Sequence, residues 1–242
     1  MAWPLRVALV IVAMAWMCEA AAADDLADFN TAVEDVAAHN RTAMGYLRTD
    51  AIEMAVAEME LAKNSWGAFA ERFGSRRPAV FANNPHYTEA LVDVPTRIVS
   101  AFLMLNLSRP DLAWNSLQGI REELSALRRA SGVEVLADCV LDANKAMAAI
   151  AVRDDDVPDL SDAKIATDVA AKADALGATL KRCDTVASAK VREDPTFRRL
   201  IEGPLAVLAT VPKAIKARDS DTLRNAIVEL RAFDALLTLR YG

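Results

Sequence analysis

Apolar residues recur at three- and four-residue steps along this chain, and no convincing stretch alternates with period two. Phe29, Val33, Val36, Ala43 and Leu47 mark one such seam, and Ile52, Val56, Met59, Trp66, Ala70 and Phe73 the next. Later seams run through Leu112 to Leu127, Leu136 to Ile150, Ile165 to Cys183 and Leu223 to Leu237. That spacing puts one apolar stripe on each segment and a polar face opposite, the pattern of amphipathic helices around a shared core. The expected class is all-α, with eight antiparallel helices at about 25–48, 50–73, 85–106, 109–130, 133–152, 161–186, 195–216 and 220–240.

Start signals agree with those boundaries. Asp50 with Glu53, and Ser108 with Asp111, resemble capping boxes, in which each side chain satisfies a free amide at the other end. Asn84-Pro85 and Asp194-Pro195 each set a capping side chain before a proline, which suits the first helical position.

A shift of 110 residues without gaps brings out a second pattern. Leu26-Ala27-Asp28 falls on Leu136-Ala137-Asp138, and Gly67-Ala68 with Arg72 falls on Gly177-Ala178 with Arg182. Asn84-Pro85 with Tyr87 falls on Asp194-Pro195 with Phe197, and Asp111, Asn115 and Arg121 fall on Asp221, Asn225 and Arg231. The landmarks keep register across four helices. They imply an internal duplication into two tandem four-helix units, 24–131 and 132–242. Hairpins recur at about 60 residues rather than 34, which disfavours a tetratricopeptide array. Both copies carry proline inside the third helix, Pro95 in one and Pro204 and Pro212 in the other. An internal proline removes a hydrogen bond and bends the helix, so each bundle is expected to splay and leave room between helices.

The first residues read as an address. MAWPLR carries one positive charge, VALVIVAMAWM is an unbroken apolar run, and small residues follow, with an A-x-A site at Ala21–Ala23. That is a secretory signal peptide over 1–23. The apolar run is about half the length a spanning helix needs, so the expectation is cleavage and a chain not embedded in the membrane, working in the periplasm or outside the cell. The net charge of −6, without a basic block, argues against nucleic acid and anionic membranes as partners.

Cleavage leaves Cys139 and Cys183, and export makes a disulfide conceivable. If the fifth and sixth helices turn symmetrically near residue 156, Cys139 lies level with residue 174 and about 13 Å from Cys183 along the axis. A cystine tolerates roughly 7 Å between Cα atoms, so the expectation is two buried thiols. The connector 152–163, VRDDDVPDLSDA, is acidic but lacks the glycine and terminal Glu spacing of an EF-hand. It reads as a solvated link ending in a Ser161 cap.

Metal chemistry has two candidate sets. His86 and Glu89 share a helix face, as do Asp35 and His39. The stretch His86-Tyr87-Thr88-Glu89 resembles the His-x-x-Glu motif of imelysin-like periplasmic proteins, which are helical with duplicated bundles. The likeness covers four residues, without the glycine-flanked context and in a shorter chain. Met44, Met54 and Met104 fall near one end of an up-down bundle, where soft thioethers could hold Cu(I). Covalent haem is excluded, because the last helix carries neither Cys nor His.

There is no G-x-S-x-G, no Cys–His neighbour pair and no glycine-rich phosphate loop. The chain is therefore expected to be a non-enzymatic exported protein that binds an unidentified protein or small ligand, with no cofactor implied. The alternatives are a metal-handling bundle for copper or iron and a structural envelope protein.

Overall fold

The computed structural model describes the backbone of residues 3–150 and 158–242, and side chains from Asp24 onward within them. The side chains of the leader, its expected cleavage site included, lie outside the described residues, as does the acidic centre of the connector. Among the described residues the chain is all-α. The helices are α1 (Trp3–Arg48), α2 (Ile52–Phe73), α3 (His86–Asn106), α4 (Pro110–Arg129), α5 (Leu136–Ile150), α6 (Ala163–Val186), α7 (Ala189–Arg192), α8 (Pro195–Leu208), α9 (Val211–Ala217) and α10 (Ser220–Tyr241). A short 3-10 turn, Ala79–Phe81, precedes α3. The single helix expected over 195–216 is broken at Ala209–Thr210, so that Pro212 sits in the first turn of α9 instead of inside a helix. Contacts divide the chain into two compact units, Met1–Gly132 and Val133–Gly242.

The first unit closes around aromatic rings. Phe29 of α1 meets Phe69, Phe73 and Phe81 at centroid distances of 5.2, 5.4 and 4.7 Å, an arrangement worth about 0.5–1.5 kcal/mol per pair beyond the area it buries. Asn84 fastens the start of α3 to the end of α4. Its Nδ2 donates to the Leu127 carbonyl and to Ser131 Oγ, both at 2.7 Å, and its Oδ1 accepts from the His86 N–H at 2.9 Å. The Tyr87 hydroxyl donates to the Phe73 carbonyl at 2.8 Å, and burial pushes its pKa up to about 12.

The second unit repeats that frame at the same offset. Asp194 accepts from the Thr196 N–H at 2.8 Å and from the Tyr241 hydroxyl at 3.0 Å, so Asp194–Tyr241 stands where Asn84–Ser131 stands. Ser108 and Arg218 both have left-handed backbones, φ 57° and 52°. Each ends its helix with the crossed hydrogen bonds of a Schellman turn. Arg109 N–H donates to Met104 O at 2.8 Å in the first unit, and Asp219 N–H to Ala214 O at 2.9 Å in the second. The 3-10 turn at Ala79–Phe81 and α7 at Ala189–Arg192 also correspond.

Several local expectations are corrected. Neither Asp50 nor Ser108 caps a helix through its side chain. Each is the left-handed residue that stops the preceding helix (Asp50 has φ 57°), a conformation short polar side chains tolerate better than most. Asp111 instead takes a two-point hydrogen bond from Arg109, 3.1 and 2.9 Å. Asp162, not Ser161, caps α6 by accepting from the Lys164 and Ile165 N–H groups. The described end of the connector is not solvated throughout, because Pro158 and Leu160 are buried.

The largest correction concerns the cysteines. Cys139 and Cys183 form a disulfide with Cα atoms 5.4 Å apart, and both are fully buried. The expected 13 Å offset assumed that α5 and α6 end level with their turn. Cys139 lies eleven residues before the end of α5 and Cys183 twenty residues after the start of α6. Pairing them makes α6 overrun α5 by about nine residues, roughly 13 Å. A connector of twelve residues can reach ~40 Å, so nothing holds the two ends level. The overrun is used, since Val169 near the start of α6 is buried in one cluster with Leu160, Val211 and Ala214.

Candidate functional site

The two units differ most clearly where the second helix of each faces its third. In the first unit an open cleft of ≈ 550 Å³ lies between α2 and α3, lined by Lys63, Trp66, Gly67, Glu71, Pro95 and Ile98 among others. Trp66 is buried as its wall, stacked on Phe69 at 4.7 Å. A Cβ built on Gly67 would meet no atom within 4 Å.

The corresponding place in the second unit is filled. A Cβ on Gly177 would sit 3.7 Å from Leu208 Cδ1 and 4.0 Å from Leu205 Cδ2. Those two leucines occupy the register positions of Ile98 and Pro95. The neighbouring void, lined by Met147, Leu176, Leu200, Pro204, Phe233 and Leu237 among others, is only ≈ 10 Å³. The proline ring at 95 reaches less far from the backbone than the leucine that stands in its place at 205. At this place the room expected beside the third helix is open in the first unit and taken by Leu205 and Leu208 in the second. The sequence signal for it was the alignment of Gly67 on Gly177 together with Pro95; what those residues face could not be read from it.

A second contrast lies between α3 and α4. The Glu123 carboxyl lies within hydrogen-bonding reach of Asp93. Burial, then Asp93, push the Glu123 carboxyl above its ordinary value, while the Arg97 guanidinium draws it back. Arg97 lies across Gly119, where a Cβ would come within 2.2 Å of its Nη1. In the second unit the same two places hold Gly203 and Phe233, and the ring packs so closely that a Cβ on Gly203 would meet it at 2.5 Å. Helical spacing gives no sign of this carboxyl pair, because its members lie on different helices, thirty residues apart.

The expected metal donors are distributed unevenly. His86 Nδ1 and Glu89 Oε2 are brought together at 2.8 Å on the exposed first turn of α3. His39 pairs with Glu58 of α2 at 2.8 Å, and not with Asp35 as helical spacing suggested. Met44 is buried with its sulfur 3.8 Å from Asn40 Nδ2, Met54 is half exposed, and Met104 is partly buried. Among the described residues no group of three or more His, Cys, Asp or Glu side chains could hold a metal ion. None of the described helices is long and apolar enough to cross a membrane. No protein-family model, curated protein or solved structure matches this chain.

Proposed function

We propose that this chain is an exported, non-enzymatic helical protein that binds its ligand or partner in the α2–α3 cleft of the first unit. One observation carries the reading: two units with the same turns and pins differ in that Leu205 and Leu208 fill the space that Pro95 and Ile98 leave open. The repeat serves as an internal control, in that packing at this place is compatible with the frame and is nevertheless missing in the first unit. Trp66, Pro95 and Ile98 suit an apolar group, with Lys63 and Glu71 at the rim. The signal-like leader and the buried cystine both support a site of action in an oxidising compartment, the periplasm or beyond. The shared Schellman turns, the two helix-start pins and the matching short helical turns support descent of both units from one duplicated segment.

Gly67→Leu tests the assignment, because the new side chain enters open space. The uncharged reporter Nile red should brighten on the unmodified chain and lose most of that enhancement on the variant. Equal fluorescence from both would overturn the cleft as the binding site. The metal-handling alternative is favoured by His86 and Glu89, expected donors that meet at 2.8 Å. Metal analysis of protein recovered from the periplasm decides it, since a stoichiometric ion lost in His86→Ala would replace our reading. A chain that takes neither dye nor metal would point to the structural envelope role.

A further inference from the structure

Beyond the cleft, each unit leaves one helix face apolar and uncovered, and the two faces differ. On α3, Val92, Val99, Leu103 and the adjoining Leu107 are 53–61% exposed, along about 22 Å of axis. They lie at seven- and four-residue steps and so share one side of the helix that borders the cleft, with Leu61 of α2 also exposed. On α10, Val228, Leu236 and Leu239 are 49–59% exposed, and with exposed Ala232 they form a stripe about 16 Å long. Neither stripe is demanded by the repeated frame. At the register positions of the α3 stripe the second unit has Glu202, Ala209, Lys213 and Ala217. At those of the α10 stripe the first unit has Gln118, Glu122, Ala126 and Arg129.

Charge brackets both stripes. Exposed Glu53 and Glu71 stand near the two ends of α2, about 27 Å apart along it. Exposed Arg224 and Arg240 stand beyond the two ends of the α10 stripe, about 24 Å apart. Acidic groups thus flank the groove at nearly the separation at which basic groups flank the helix.

We infer that the α2–α3 face receives α10 of a second copy of this chain, apolar stripe inward, with Arg224 and Arg240 facing Glu53 and Glu71. This deepens the binding reading and rests on it, by naming the partner of that surface. The contact is heterologous: each chain offers a groove through one unit and a helix through the other, so association continues beyond two chains unless it closes as a ring. A helix laid by its apolar face into an apolar groove is a common recognition mode.

The test uses the purified full chain in sedimentation and light scattering. The unmodified protein should gain mass with concentration, and less so at high salt. Leu103→Asp and Leu236→Asp alter exposed positions only, so both should keep the parent circular dichroism. Each should weaken association about a hundredfold, the effect of placing a carboxylate in an apolar contact. Mixing the two variants is decisive. Leu103→Asp retains a working α10 and Leu236→Asp a working groove, so the mixture should double in mass and stop at two chains. A monomer at every concentration, an oligomer indifferent to either substitution, or a mixture that stays monomeric would each overturn self-docking. Nile red separates this from the parent proposal: a monomer whose dye signal still falls with Gly67→Leu keeps the cleft and loses only the second copy.

Discussion

Phe29 and Phe73 meet edge to face in the first unit, and the residues 110 positions later, Cys139 and Cys183, are joined covalently in the second. The Asp93 and Glu123 carboxyls face each other in the first, where Gly203 receives the Phe233 ring in the second. Around these exchanges the helix-ending turns at Ser108 and Arg218 and the pins at Asn84 and Asp194 stay in place. The difference teaches that the frame is set by backbone hydrogen bonding at the turns. The contacts between helices can be aromatic, covalent or polar so long as they bridge the same gap. The units therefore differ in what stabilises them and in what space they leave, and each difference can be attacked separately.

Removing the cystine should separate them most. The bridge closes a loop with sequence separation 44, for which the chain-entropy model gives about 4 kcal/mol. Cys139→Ala with Cys183→Ala should lower the denaturant midpoint of the helical signal. Trp66 and Trp114 both lie in the first unit, so tryptophan fluorescence should keep its midpoint. Parallel shifts in both signals would show that the units unfold together.

The glycines come next. Gly203→Ala drives a methyl into Phe233 and should cost about 1–3 kcal/mol. Gly67→Ala meets nothing and removes a flexible residue from a helix, a gain of up to about 1 kcal/mol. Thermal melts of the two variants should move in opposite directions; equal destabilisation would show that the first cleft is closed in solution.

The smallest effects depend on pH, and they too should be opposite in sign. Glu123 has a raised pKa, so the folded first unit holds its proton more tightly than the unfolded chain. Ionisation is then a penalty that grows as pH rises from the ordinary 4.5 through the raised value. Glu123→Gln should stabilise the protein at neutral pH and make no difference below that range. Asp194 is held below its ordinary 3.8, first by the Thr196 N–H and then by the Tyr241 hydroxyl. Its contribution is complete above 3.8 and is lost as pH falls through the lowered value. The matching pin in the first unit, Asn84, does not titrate. Comparing Asp194→Asn with the parent between neutral and strongly acid pH should show the difference narrowing only at the acid end. A difference that persists unchanged there would remove the charge from the explanation.

Much of the frame was legible because it is local. Three- and four-residue apolar spacing fixed the helices, and Asn84-Pro85 and Asp194-Pro195 marked the starts of α3 and α8. Asp50 and Ser108 misled because a short polar residue before a helix can cap it or can end the previous one. The choice depends on how the chain turns back. The break at Ala209–Thr210 was hidden because Pro204 and Pro212 both fit a single bent helix on paper. For the candidate site, His86 with Glu89 was readable as an i, i+3 pair, whereas Glu58 as the partner of His39 was not, since it comes from another helix.

By itself, then, the sequence determined the helical class, since apolar spacing depends on residues within a few positions of one another. Only the tertiary structure decided that Cys139 meets Cys183, that one cleft is open while its counterpart is filled, and that Asp93 finds Glu123. The reason is geometric: the stagger of neighbouring helices and the reach of side chains across a gap depend on connectors and on partners far along the chain, which no apolar period records.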